Sequence, residues 1–143
     1  MISVKKLCLG GLFALATTPA TAGDLTVLLS GLHPGSPVYL RLHNTPAQFE
    51  SGEAPLAKIA ILATANQAKI TLHDLPAGRY AAAAFQDTDQ NGQLSTSFLG
   101  IPSEPYGFSN AASSADFDAA AFDVTASTTL QTLKLQPTYN PHL

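Results

Sequence analysis

One cysteine occurs in the 143 residues, Cys8, and it lies inside an apolar run near the start of the chain. An internal disulfide and a thiolate metal site are therefore both excluded, and stability must come from packing, with or without a bound ion. Basic residues are also scarce. Of seven Lys and Arg, two stand at Lys5 and Lys6, and the other five are scattered along the remaining chain. Phosphate backbones need clustered positive charge, so no nucleic-acid partner is expected. The apolar run Leu7 to Ala16 falls well short of the ~20 residues that span a bilayer. The four histidines, His33, His43, His73 and His142, lack the paired spacing of a zinc site, and no G-x-S-x-G surrounds any serine. With no catalytic constellation in view, the expectation is a non-catalytic protein.

What the chain does contain begins with an export signal. Lys5 and Lys6 precede the short apolar run, and Ala20-Thr21-Ala22 supplies a small-x-small cleavage site before Gly23. Cys8 lies within the run instead of at its end, which argues against a lipoprotein. The expected organisation is a signal peptide at 1–22, a domain at 23–136 and a C-terminal tail at 137–143, with no transmembrane segment in the mature chain. The mature part carries five basic against ten acidic residues, a charge of −5. It is expected in the periplasm or secreted, as a monomer, with an unidentified envelope protein or ligand as its partner.

From Asp24 onward apolar residues recur with period two. Leu25, Val27 and Leu29 form a first strand, and Val38, Leu40 and Leu42 a second whose other face, Tyr39, Arg41 and His43, points to water. The Gly31 and Pro34-Gly35 connection suggests that these two make a hairpin. Residues 44–55 form a loop. Further strands follow around Ala57–Ile61 and Lys69–Leu72, with His73-Asp74 at an exposed strand end. Tyr80 to Phe85 is an almost unbroken apolar run, as a central strand buried on both faces requires. Ser114 or Asp116 caps a helical turn. Phe122–Val124 and Thr128–Leu135 complete the count, with a bulge or strand end at Leu130, whose parity is wrong. The predicted fold is all-β, an antiparallel seven-stranded β-sandwich of the immunoglobulin-like or transthyretin-like kind. No internal repeat or low-complexity segment is present.

Four stretches, LPAGRY, DTDQNGQLS, GIPSEPYGFSN and DFDAAAF, resemble in content and order the bacterial domain of unknown function family 2141, across Asp24 to Leu135. The resemblance implies an exported β-sandwich with no established activity. LPAGRYAAAAF is similar to the turn and strand of carboxypeptidase-regulatory and transthyretin-like modules. The chain departs from the family pattern at Ser95, where Asp is common, and at Gln86, where His is common. The transthyretin-like purine-catabolism hydrolases end Tyr-Arg-Gly-Ser and this chain ends Tyr139-Asn140-Pro141-His142-Leu143, so that likeness extends to the fold alone.

Polar ligand-type groups concentrate in Phe85 to Asn110. Asp87-x-Asp89-x-Asn91-Gly92 is the opening half of an EF-hand-type calcium loop, in which alternate side chains turn inward on a hard cation. Gln93 would contribute its carbonyl and Ser95 a hydroxyl or a bound water. The twelfth position is Phe98 instead of the usual bidentate Glu, so closure needs another carboxylate, and Glu104 is nearest. A site of this make-up would bind calcium weakly, at about 10⁻⁴–10⁻³ M. The same residues suit a metal-free loop held by Asx-turns. Tyr106, Phe108 and Asn110 are candidate ligand-binding residues. In that reading Tyr106, Phe108 and Phe98 offer a stacking platform for a sugar or peptide. The competing expectation is that the three rings fold back and plug the open end of the sandwich, while Ser109 and Asn110 bond backbone groups.

Overall fold

A computed structural model describes residues 21–137. The expected signal peptide, apart from its last two residues, and the tail beyond residue 137 lie outside the described residues. Eight strands are present: β1 (Ala22–Ser30), β2 (Pro37–His43), β3 (Ala57–Leu62), β4 (Gln67–Pro76), β5 (Gly78–Gln86), β6 (Tyr106–Phe108), β7 (Phe122–Val124) and β8 (Thr129–Lys134). One sheet has the order β4-β1-β8, the other β3-β2-β5-β6, with β7 pairing the beginning of β5. The fold is thus all-β and two-layered. It has one strand more than expected, because β6 forms within a stretch that reads as loop. Among the described residues no helix is long and apolar enough to cross a membrane.

Between the sheets, Leu25, Val27 and Leu29 of β1 meet Val38, Leu40 and Leu42 of β2, with Tyr80, Ala82 and Ala84 of β5 and Leu133 beside them, all buried. The period-two pattern therefore fixes the inner faces correctly. It does not fix the partners. β1 and β2 do not form a hairpin: β1 pairs β4 antiparallel and β8 parallel, whereas β2 pairs β3 and β5. Their connection crosses between the sheets and is clamped from β5. The fully buried Gln86 side chain accepts from His33 N–H at 2.8 Å and donates to the His33 and Ser36 carbonyls. Leu130 needs no bulge either. It pairs in unbroken register with Thr26 and lies on the solvent face of β8, 61% exposed.

The face of β2 assigned to water is half-exposed at Tyr39 and Arg41 and covered at His43. Residues 44–55 contain a short helix, α1 (Pro46–Ser51), with Pro46 in its first turn and Gly52 ending it at φ 71°, where glycine carries no Cβ penalty. A second, α2 (Phe117–Ala120), starts at Asp116, whose carboxylate accepts from Ala119 N–H at 3.2 Å. Phe49 and Phe117 from these helices pack edge-on, 6.0 Å apart, over Ala81 of β5 and make a second small core outside the sandwich. Alanines at 81 and 83 leave the room that the rings fill. His43, beneath Phe49, is consequently buried instead of solvated. His73 sits within β4 and pairs across to Asp24 at 3.0 Å, not with its neighbour Asp74.

Candidate functional site

β5 delivers the chain into the acidic loop at Asp87, whose N–H still donates to Pro37 O at 2.8 Å as a last rung beside β2. The Asp87 side chain is buried and accepts from Asn91 N–H at 3.1 Å on one oxygen and from Gly92 N–H at 2.7 Å on the other. Gly92 makes this possible with φ 79°, a conformation that favours glycine. Glu104 arrives from the far side of the loop and is also buried. Its Oε1 accepts from Thr88 N–H at 2.8 Å, Thr88 Oγ1–H at 3.2 Å and Asp89 N–H at 3.2 Å, and its Oε2 from Ser95 N–H at 2.9 Å.

Asp89, Asn91 and Ser95 complete the cluster at the surface. Ser95 Oγ–H donates to Asp89 at 2.6 Å, and this bond foremost holds the Asp89 carboxyl below the usual carboxylate range; desolvation opposes it and the Asn91 N–H adds to it. Asn91 spends its carboxamide on Asp89, Ser95 and the Gln93 N–H. Ligand oxygens of Asp87, Asp89 and Glu104 all lie within 4.8 Å of one another. Of the six residues proposed for a metal, Asp87, Asp89 and Glu104 converge, and Asn91 and Ser95 hydrogen-bond to Asp89 beside them. Gln93 joins by its backbone N–H. Glu104, picked out in the sequence only as the nearest carboxylate, reaches the loop.

Beyond Ser95 the chain turns out and back as a finger. Thr96 bridges Pro102, Ser97 N–H donates to Ile101 O at 2.8 Å, and Gly100 N–H donates to Ser97 O at 2.9 Å, with Gly100 at φ 76°. This is the three-residue hairpin loop in which a tight turn is followed by a left-handed glycine. Its tip is apolar and bare: Phe98 is 98% exposed, Leu99 70% and Ile101 53%. Phe98 therefore plugs nothing. Glu104 ties the finger's base to the acidic loop through Ser95, while Ser103 N–H donates to Ser95 O at 2.8 Å.

Tyr106 and Phe108 lie on β6, half-buried, and pack on the outer face of the second sheet, not over the open end of the sandwich. Asn110 holds φ 54° and donates from Nδ2 to Ala121 O at 2.6 Å. Ser109, fully buried, donates to Ala120 O at 2.6 Å and accepts from Ala82 N–H at 3.0 Å. The loop's polar residues thus fasten β5, β6 and α2 together. Sequence reasoning missed Arg41 and His43, which end beneath α1. The signal that would have found them is the unbroken apolar run of β5, which demands cover on both faces, including the one shared with Arg41 and His43.

A profile of the family described as "Uncharacterized protein conserved in bacteria (DUF2141)" matches residues 16–132, and the chain belongs to that family. No curated protein matches it. Among solved structures, the chain is similar to a pilus-presented adhesin, Spy0125 (Cpa), at 15% identity with a TM-score of 0.34. The alignment covers 82% of this chain and 28% of the adhesin, so the chain spans less than a third of that protein's length.

Proposed function

We propose that the protein is an exported, non-catalytic β-sandwich module of the bacterial envelope that binds a partner through the loops at 87–110. The observation that carries this reading is the finger of residues 96–102, which holds Phe98, Leu99 and Ile101 in solvent on a hydrogen-bonded base. Exposed apolar side chains clustered on a rigid protrusion mark a contact surface more than an isolated exposed leucine does. At the base of the finger the carboxylates of Asp87, Asp89 and Glu104 converge, two of them buried. A fitting partner is a protein with an apolar socket that takes the three side chains.

The double substitution Phe98→Ser and Leu99→Ser removes exposed side chains and leaves the melting temperature unchanged within about 2 °C. A photo-cross-linker at Ser97 in intact cells joins the wild type to one envelope component, and the double variant loses that product. Equal cross-linking by both forms would overturn the assignment of the finger.

A second reading has its own support. Three carboxylates converge within 4.8 Å, two of them buried, and neither ion pair among the described residues involves any of them. We propose a calcium ion at Asp87, Asp89 and Glu104 that stabilises the loop end. At a hundredfold excess over Kd it adds about 2.7 kcal/mol to the folded state. Melts in calcium at about 10–100 mM, a hundredfold excess over that Kd, and in chelator at matched ionic strength are expected to differ for the wild type and to coincide for Asp89→Ala. Coincident melts for the wild type as well would remove the ion.

A further inference from the structure

Three buried side-chain polar atoms among the described residues have no hydrogen-bond partner: Arg41 Nε and both ring nitrogens of His43. They sit on neighbouring outward positions of β2, and both residues line one cavity of about 180 Å³. Phe49, Phe85, Tyr106 and Phe108 supply its aromatic walls. The Arg41 guanidinium lies 5.5 Å from the Phe85 ring centroid and donates through one terminal nitrogen to Gly52 O at 3.2 Å, which leaves Nε–H unspent. Burial holds the His43 imidazole below its ordinary pKa, and the adjacent Arg41 charge adds to this. The Glu53 backbone acts in the opposite sense without reaching hydrogen-bond geometry. The neutral ring offers one donor and one acceptor.

Three unmade bonds at buried polar atoms of two adjacent residues, both of which line one cavity, form an unfilled hydrogen-bonding demand. The cavity's size is that of a single small ring, since about 150 Å³ of apolar space suffices for benzene. Glu50 also lines the cavity but is exposed and makes no ion pair with Arg41.

We propose that this cavity binds a small monocarboxylic acid with a flat or compact apolar body. The carboxylate accepts from Arg41 Nε–H and the His43 ring N–H, which a turn of both side chains brings to the cavity wall, and the body lies against Phe49, Phe85, Tyr106 and Phe108. Such a ligand satisfies the orphaned donors and fills the aromatic space in one step. A neutral amide of the same shape supplies the apolar body without the charge.

The test titrates the whole protein with benzoate, phenylacetate and isobutyrate, and with benzamide as the uncharged match, following the His43 ring resonances by NMR. At least one of the acids saturates below about 1 mM and, for benzoate, binding exceeds that of benzamide roughly tenfold. Arg41→Met removes the preference for the acid. Ala83→Leu, which fills the cavity from β5 and leaves both polar groups in place, abolishes binding of every acid. The Phe98→Ser and Leu99→Ser variant binds the acids unchanged, which separates this site from the finger. The proposal is overturned if no acid produces a saturable shift up to about 10 mM, if benzoate and benzamide bind equally, or if Ala83→Leu binds as the wild type does.

Discussion

Glu104→Ala is expected to destabilise the domain by about 2–4 kcal/mol, measured as a fall in the urea midpoint at constant slope. The carboxylate is 2% exposed and accepts four hydrogen bonds, three of them from backbone N–H groups of Thr88, Asp89 and Ser95. Bonds to a charged acceptor contribute about 1.5–3 kcal/mol each, but the loop side of these donors is open to water, which recovers part of the loss. Deletion therefore costs less than the sum of four bonds. Glu104→Gln keeps one acceptor oxygen and replaces the other with an NH₂ group that faces backbone N–H donors it cannot bond, so about half of the loss should remain. A fall below about 1 kcal/mol for alanine would mean that the acidic loop closes without its central acceptor.

Gly107→Ala is expected to cost about 2–4 kcal/mol, through overpacking against backbone. A Cβ at this position would lie 2.5 Å from Lys134 O and 3.1 Å from Lys134 C. Main chain cannot rotate away as a flexible side chain can. Gly107 is the middle residue of β6, where that strand passes over the end of β8, and beside it Gln136 N–H donates to Tyr106 O at 2.8 Å. The added methyl must push β6 off β8 or off β5. Gly78→Ala is the matched control, because its nearest contact would be Tyr80 at 3.8 Å, and it should change stability by less than about 0.5 kcal/mol. Equal denaturation midpoints for the two variants would show that β6 is not held between its neighbours.

The inner faces of the sandwich could be read directly, because alternation survives any error in pairing. Leu25, Val27 and Leu29 point inward whichever strand stands beside them. The partners could not be read, because a Gly-Pro connection serves a crossover between sheets as well as a hairpin. The clamp that decides the matter, Gln86 on the His33–Ser36 turn, acts across about 50 residues. The outer face of β2 was misread for a related reason. Polar residues at 39, 41 and 43 read alike as a wet face, yet Tyr39 and Arg41 stay half-exposed while His43 is covered by Phe49 from a separate short helix. In the acidic loop the spacing of Asp87, Asp89 and Asn91 was legible because the interactions are local. The apolar tip was not: Phe98 and Leu99 suggest burial by composition, and only the hairpin's hydrogen bonds show that they stand outside.

The parallel pairing of β1 with β8 has a consequence for the order of events when the chain folds. Leu25 lies beside Thr129 and Leu29 beside Leu133, so the central strand of that sheet waits for a neighbour roughly a hundred residues away. β4 can join β1 early, but the sheet stays half-made, with one side of β1 unpaired, until residues 129–134 arrive. Such long-range closure slows folding. Until residues 129–134 join, one edge of β1 stays open, and the two-layered core locks only when they arrive.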